Sequence, residues 1–407
     1  MGLAKAGIVL GIGCLPLLQP SFARNVTPAD VGMILGIGLV LLWAGSTRQL
    51  LRLPYAAGVG VLVVAGSLSA LFGELPWLGA LTVVQDLYLL AWAAMMVNFA
   101  NTAAGATFLV NAWCVSASVW AVALLAIFGP SAFGGGLEDD RAGFTFGEQN
   151  AAGLYFALSI LVVLAGRRPR SWKLRGPALA CLGLALLLTG SLGAISGLMA
   201  GVAVGLVLGI RAKRGPDTAI AFALAIALAG SSMALLAERQ QLVQAASESQ
   251  NTLIRNSVGR GAKSSGERTV LAKQTYGLWQ TAGILGRGPV TTEYTLIKQQ
   301  AAYPKEAHND WIAASLERGI LGIAGLLLLV LEMILLSFAI WNPYRLRAGY
   351  RAALPAPGYV VGAVVAAGMY SLTHEVLHER PMWTLLGLLA AFGLWARPVR
   401  FSWGGSA

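Results

Sequence analysis

Charge is scarce in this chain. Only 12% of its 407 residues are Asp, Glu, Lys or Arg, about half of what a soluble globular domain carries. Histidine is scarcer still, at three residues, and so is cysteine. Cys14, Cys114 and Cys181 each sit inside an apolar run, and their spacing fits neither a disulfide framework nor a zinc site. There is no internal repeat, coiled-coil heptad or nucleic-acid motif, which argues against a solenoid, a long zipper or a nucleic-acid partner. What is abundant is apolar residue, 57% of the chain, with a mean hydropathy of +0.68. Such a chain is an all-α polytopic membrane protein, since a helix satisfies its own backbone in lipid.

Apolar runs near 20 residues fall at 3–18, 28–46, 54–73, 78–98, 103–128, 148–166, 177–190, 193–210, 217–237, 310–340, 356–373 and 382–396. These predict about twelve transmembrane helices. Pro54, Pro177 and Pro355 mark expected starts, because a residue without an N–H is tolerated in a first turn. The first run precedes Ser-Phe-Ala and could pass for a signal peptide, but a short first span fits the topology better. Basic clusters orient the bundle: Arg48 and Arg52; Arg167, Arg168, Arg170, Lys173 and Arg175; Arg211, Lys213 and Arg214; Arg345, Arg347 and Arg351; Arg397 and Arg400. Twelve spans with both termini cytoplasmic put every cluster on the inner side of the membrane. Three regions result: nine spans over 1–237, a large, mostly helical outer loop over 238–309, and three spans with a cytoplasmic tail over 310–407. The formal charge is +11, and most of it is accounted for by the inner loops.

The outer loop has its own basic excess, nine Lys/Arg against six Asp/Glu when Asp310 is included. Its segment 251–266 is rich in Ser, Gly and basic residues, a composition suited to a lid. Residues 267–282 read as a helix with Leu271, Leu278, Trp279 and Ala282 on a rough common face, followed by a tight turn at Gly286-Arg287-Gly288-Pro289. The loop ends at His308-Asn309-Asp310-Trp311, directly before a long apolar run. Histidine titrates near neutral pH and can take a proton from a hydroxyl. Arg268, at the other end of the loop, offers a permanently charged fork for phosphate oxygens. A diphosphate leaving group and a hydroxyl acceptor need that combination. The bland alternative has His308 capping a helix and Arg268 touching lipid phosphates or pairing with Glu267.

The spacing His308-Asn309-x9-Gly319-x-x-Gly322 resembles the signature of the O-antigen ligase superfamily, which also contains O-antigen polymerases and pilin oligosaccharyltransferases. Arg268-(x10)-Trp279 leading to Gly286-Arg287-Gly288, and Gly143-Phe144-Thr145-Phe146-(x3)-Asn150, match it as well. The resemblance implies metal-independent, cofactor-free glycosyl transfer at the periplasmic face. The donor would be a glycan on undecaprenyl diphosphate, and the acceptor a hydroxyl of lipid A-core, a glycan or a protein. Carried over, His308 activates the acceptor, Arg268 holds the diphosphate with Arg287 as a second cation, and Asn309 orients the histidine or the substrate. Gly319 and Gly322 let neighbouring helices approach closely.

One position departs from the pattern. Where the family often carries Thr-x-Ser-Arg-Gly, this chain reads Thr189-Gly190-Ser191-Leu192-Gly193, and Leu192 cannot bind phosphate. Either Arg141, Arg255 or Arg260 takes over, or the activity has diverged, which counts against the lipopolysaccharide ligase specifically. The other two histidines, His374 and His378, have metal-ligand spacing if helical, but a polar rim helix with Glu375 and Arg380 in ion pairs is the simpler reading. Glu375 and Arg380 could also line the cavity of His308. Asp86 and Glu332 are intramembrane acids; Asp86 could approach the site, while Glu332 is expected to pair structurally. Together they keep open a secondary transporter or flippase, although the single large loop breaks the symmetry expected of one. A non-catalytic partner of a glycan-export complex is a third reading.

Overall fold

The computed structural model describes residues 1–19, 26–133, 145, 147–237, 244–245, 247–249 and 261–396. Each of the twelve predicted runs contains one helix: α1 (Gly2–Gly13), α2 (Pro28–Ser46), α3 (Ala56–Phe72), α4 (Pro76–Phe99), α5 (Ala103–Phe133), α6 (Gln149–Gly166), α7 (Trp172–Thr189), α8 (Leu192–Arg214) and α9 (Pro216–Ala237). The 238–309 segment then supplies α10 (Gly261–Trp279) and α11 (Thr291–Lys298), before the long α12 (Asp310–Ile340). A short α13 (Ala348–Ala353) precedes α14 (Gly358–Ser371) and α15 (Arg380–Trp395). Among the described residues seven helices, α2, α4, α5, α6, α7, α8 and α12, are long and apolar enough to cross a membrane; α1, α3, α14 and the Pro216–Ala227 part of α9 are shorter apolar stretches.

Several starts follow the expected chemistry. Pro28, Pro76 and Pro381 occupy first-turn positions, where the missing N–H costs nothing. Thr27 and Asp30 form a capping box on α2, each side chain taking the other's backbone N–H. Pro177 behaves differently from its expected role. It lies inside α7, which begins at Trp172, so Lys173 and Arg175 are helical and the connection from α6 shrinks to residues 167–171.

Helices α4, α6 and α15 are the most enclosed, and α6 is buried along almost its whole length. Large side chains fill the bundle centre: Trp92, Trp113, Trp383, Tyr155, Phe156 and Phe392 are fully buried. The buried indoles keep a hydrogen bond, Trp92 to the Thr384 hydroxyl at 3.0 Å and Trp113 to the Ser159 hydroxyl at 2.9 Å. Helices α8 and α14 run in close backbone contact. A Cβ on Gly197 would come 2.8 Å from the Ala366 carbonyl oxygen, and one on Gly201 2.6 Å from that of Gly362. This is how small residues bring membrane helices together.

The loop elements have a core of their own. Leu271 and Leu278 from α10 and Leu296 from α11 pack with Leu316 of α12, flanked by Ala282, Ala301 and Tyr303. Trp279 does not share that face. It is exposed beside Tyr276, their rings 5.6 Å apart, which places two aromatics on the outer side of α10. An ion pair between Lys298 and Glu74 at 2.8 Å fastens α11 to the α3–α4 turn.

Candidate functional site

Among the described residues, the basic clusters and His308 sit at opposite ends of the bundle. At one end Arg52 stacks on Trp395, Arg211 lies over Trp341, and Arg168 donates to the Ala352 carbonyl. At the other end the starts of α2, α4, α12 and α15 meet the end of α14, and the loop from 372 to 379 threads between them.

His308 is half-buried and has a positive φ of 51°. The left-handed turn places the ring at the rim and delivers Asn309 to the helix start. Asn309 is the N-cap of α12: its carbonyl oxygen accepts from the backbone N–H of Trp311 at 2.9 Å and of Ile312 at 3.1 Å. Its amide donates to the Leu372 carbonyl at 2.9 Å. Both ends of the side chain are therefore engaged, and Asn309 acts by holding the histidine turn and the 372–379 loop together. Asp310 does the same from the next position, accepting from the N–H groups of Val376 and Leu377 at 3.0 and 3.2 Å.

That loop brings three further groups. His374 is buried, stacked on Tyr370 at 4.2 Å, with its ring 6.1 Å from that of His308. Glu375 lies against the His308 backbone N–H, and its Oε1 is enclosed without a hydrogen-bond partner. Burial holds the Glu375 carboxyl well above the usual range, and the nearby Glu317, Glu306 and Asp310 push it further. His378 faces the other way, its Nδ1 4.0 Å from Asp86. Burial, together with Arg318 and Arg380, lowers His378 to about 4 despite the attraction of Asp86. The stretch is not helical, so the expected rim helix is a loop, and the two histidines do not share a face. Among the described residues no group of three or more His, Cys, Asp or Glu is placed to hold a metal ion.

Beneath the loop lie two ion pairs, one buried and one partly buried. Arg318 of α12 reaches Asp86 of α4 at 2.7 Å, with side chains only 8% and 7% exposed, and also donates to the Leu62 carbonyl. Arg380 grips Asp30 with two bonds of 2.8 and 2.9 Å, and Tyr88 donates its hydroxyl to the same carboxylate. The sequence reading overlooked Arg318. Its signal was there: Glu317-Arg318 interrupts an apolar run, and intramembrane charge needs a partner. Glu332, by contrast, accepts from the Gly58 N–H at 3.3 Å, the structural role expected of it.

Gly319 and Gly322 also play a part other than the expected helix packing. Gly319 has φ 64° and ψ −154°, breaking α12. The broken turn frees the carbonyls of Leu316 and Glu317, which accept from the N–H groups of Arg287 and Gly288 at 2.9 Å each. The Ile320 N–H donates in turn to Ile284 at 3.0 Å. A Cβ on Gly319 would run into the Ile284 carbonyl, and one on Gly322 into the Ala314 carbonyl and Arg318 Cβ. Both glycines thus serve the bend, which seats the Gly286–Gly288 turn on α12. Glu317 then caps α11, accepting from the Val290 N–H at 3.0 Å and the Thr292 hydroxyl at 2.6 Å.

Among the predicted cations, Arg287 is the one whose side chain is described. Arg287 donates to the Thr281 hydroxyl at 2.8 Å, and its Nε is enclosed without a partner. Arg268 lies on α10, with its side chain outside the described residues; Arg141, Arg255 and Arg260 also lie outside them. A groove of about 580 Å³ runs beside α10, lined by Thr269, Ala272, Lys273, Tyr276 and Ile312, mostly through apolar surface. It joins the helix of Arg268 to the first turn behind His308. The Thr189–Gly193 turn lies against His374, since a Cβ on Gly193 would be 3.4 Å from its Cε1. Leu192 in that turn is 38% exposed.

The fold and the charged cluster at one bundle end define a polytopic helical membrane protein with a loop domain docked on a broken helix. Residues 177–327 match the Wzy_C family model, described as O-Antigen ligase, so the chain carries a domain of that family. The match runs from α7 into α12 and takes in the Thr189–Gly193 turn, α10, the Gly286–Gly288 turn and His308 through Gly322. No curated protein matches the chain significantly.

Proposed function

We propose that the protein transfers a glycan from undecaprenyl diphosphate to an acceptor hydroxyl at the periplasmic face of the inner membrane, with His308 as general base. The observation that carries this reading is the rim position of His308: half-buried, held by the Asn309 cap, and one turn from the apolar groove at Ile312. Such a groove suits a prenyl tail, because apolar area leaves water as the chain slides in. His308 takes the acceptor proton as the hydroxyl oxygen attacks the anomeric carbon. The bond from that carbon to the diphosphate oxygen breaks, and the diphosphate leaves with its electron pair. Arg268, with Arg287 as a second cation, stabilises the leaving charge. Glu375, whose carboxyl is raised above the usual range by burial and the neighbouring acids, hydrogen-bonds sugar hydroxyls, and Arg141 serves the donor from the 129–147 segment. The twelve-helix topology, with 238–309 as the periplasmic domain, belongs to the same proposal.

Polymerisation of the glycan and transfer to a protein hydroxyl use the same base. The transporter reading is disfavoured by Asp86 and Glu332, since each already has a fixed partner. The test is glycan attachment in cells producing His308→Ala at wild-type membrane levels. Attachment should disappear, and undiminished transfer would sink the proposal. A chelator should leave the wild-type rate unchanged.

A further inference from the structure

At the end of the bundle opposite His308, the short α6–α7 connection folds over the start of α14. Arg167, Arg168, Arg170 and Arg175 converge there on an opening of about 330 Å³, closed by Gly166, Ala352 and Pro355. That is room for about ten waters at ~30 Å³ each, enough for a phosphate group and the atoms joined to it. Positive charge in such a connection is expected from membrane topology alone, but topology does not require the side chains to face one cavity. Nor does it leave them without counter-charge. Among the described residues none of the four is paired with a carboxylate.

Their existing bonds go to backbone carbonyls, Arg168 to Ala352 and Arg175 to Arg167. The Arg168 Nε is enclosed with no partner. Burial and the like charge of Arg170 pull the Arg168 guanidinium below its usual value, the mark of a cation cluster that lacks an anion. Trp172 and Leu174, both well over half exposed, flank it, and Arg175 lies over the Trp172 ring. An exposed tryptophan beside arginines is the pattern of the membrane–water boundary.

We propose that this arginine pocket binds a phosphate-bearing anion, supplied by the headgroup of an anionic lipid or by a soluble phosphate. Arginine forks match phosphate oxygens, and basic pockets between membrane helices hold anionic headgroups. The flanking Trp172 and Leu174 give a lipid direct access. The site is separate from the glycan-transfer end and does not depend on that reading.

The test uses the full-length protein in nanodiscs mixing phosphatidylglycerol with phosphatidylcholine, with co-purified lipid quantified by mass spectrometry. Wild type should retain phosphatidylglycerol over phosphatidylcholine by roughly tenfold, and the Arg168→Gln/Arg170→Gln variant should lose that preference. A charge-matched control, Lys213→Gln/Arg214→Gln, should keep it, because those residues lie on α8 outside the pocket. Pyrophosphate titrated into detergent-solubilised protein forms the second arm. Protection against heating that vanishes in the pocket variant, without lipid preference, would assign the site to a soluble anion. Equal loss in pocket and control variants would reduce the effect to bulk charge and overturn the proposal. So would no preference and no protection in wild type. Arg168→Lys/Arg170→Lys guards against misfolding: it should fold as wild type and keep part of the preference.

Discussion

Gly319→Ala isolates the bend in α12 from everything around it. The backbone at Gly319, φ 64° and ψ −154°, lies where essentially only glycine goes, and forcing another residue there costs about 1–3 kcal/mol. The added methyl would also press on the Ile284 carbonyl and stand 2.6 Å from the Leu285 carbonyl carbon and 2.7 Å from the Gly286 nitrogen. These atoms are backbone and have no rotamer to escape into. The turn must lift away, giving up the bonds from Arg287, Gly288 and Ile320, at about 1 kcal/mol each. The combined loss of about 4–6 kcal/mol is roughly a thousandfold or more in the local opening equilibrium. Hydrogen exchange in detergent micelles reads it directly: the amides of Arg287, Gly288 and Ile320 should lose about that much protection. Gly277→Ala is the matched control, since Gly277 is helical with open space around it, and alanine there should gain ~0.5–1 kcal/mol. Unchanged protection at the three amides in Gly319→Ala would refute the account of the bend.

Other perturbations test the charges around it. Arg318→Ala strands Asp86 among buried groups and should cost about 3–5 kcal/mol. In thermal melts in detergent, the Arg318→Ala/Asp86→Ala double variant should recover part of that loss; equal melting of the single variant and wild type would disprove the pairing. Glu379 is raised by burial to about 7, so between pH 4.5 and 7 the folded state holds a proton that the unfolded state releases. Stability from this group is full below pH 4.5 and is lost as pH rises toward 7. Glu379→Gln, always neutral, should therefore melt like wild type at pH 4.5 and above it at pH 7.5, and a constant offset across that range would contradict the assignment. Under the proposed function, Arg268→Ala should slow transfer more than Arg268→Lys, measured as donor turnover in proteoliposomes; equal rates for all three forms would remove Arg268 from diphosphate binding.

Much of the helical framework was legible because long apolar runs bounded by prolines and basic clusters leave little choice in lipid. His308 was legible from its rarity and its place before an apolar run. Arg318 was hidden by the same reasoning that found the span: averaged over 31 residues, one charged pair hardly lowers the hydropathy of Asp310–Ile340. The bend was hidden too, because Gly-x-x-Gly in an apolar run reads as a helix-packing motif. Only the docking of Gly286–Gly288 from thirty residues upstream distinguishes a broken helix from a close-packed one. The 374–380 segment misled for a related reason. His-x3-His predicts a shared face only on a helix, and here Asp310 and Arg380 hold the backbone in another shape through Val376, Leu377 and the His378 carbonyl.

These ties decide how the residues around His308 should be ranked. A group that touches substrate must have bonding capacity that is not already spent within the protein. Asn309 spends its carbonyl oxygen on the α12 cap and its amide on Leu372, and Asp310 accepts from two backbone amides of the facing loop. Neither side chain can turn to a sugar without releasing the element it holds. Glu375 differs, with an enclosed oxygen that has no partner beside the His308 backbone. His308 stands at the rim, next to the stacked His374 and Tyr370 rings. Asn309 and Asp310 are therefore positioning residues, whose loss should disturb the geometry of His308 along with stability. Under the proposed function, a His308→Ala protein that keeps the Asn309 cap should melt like wild type while failing to transfer.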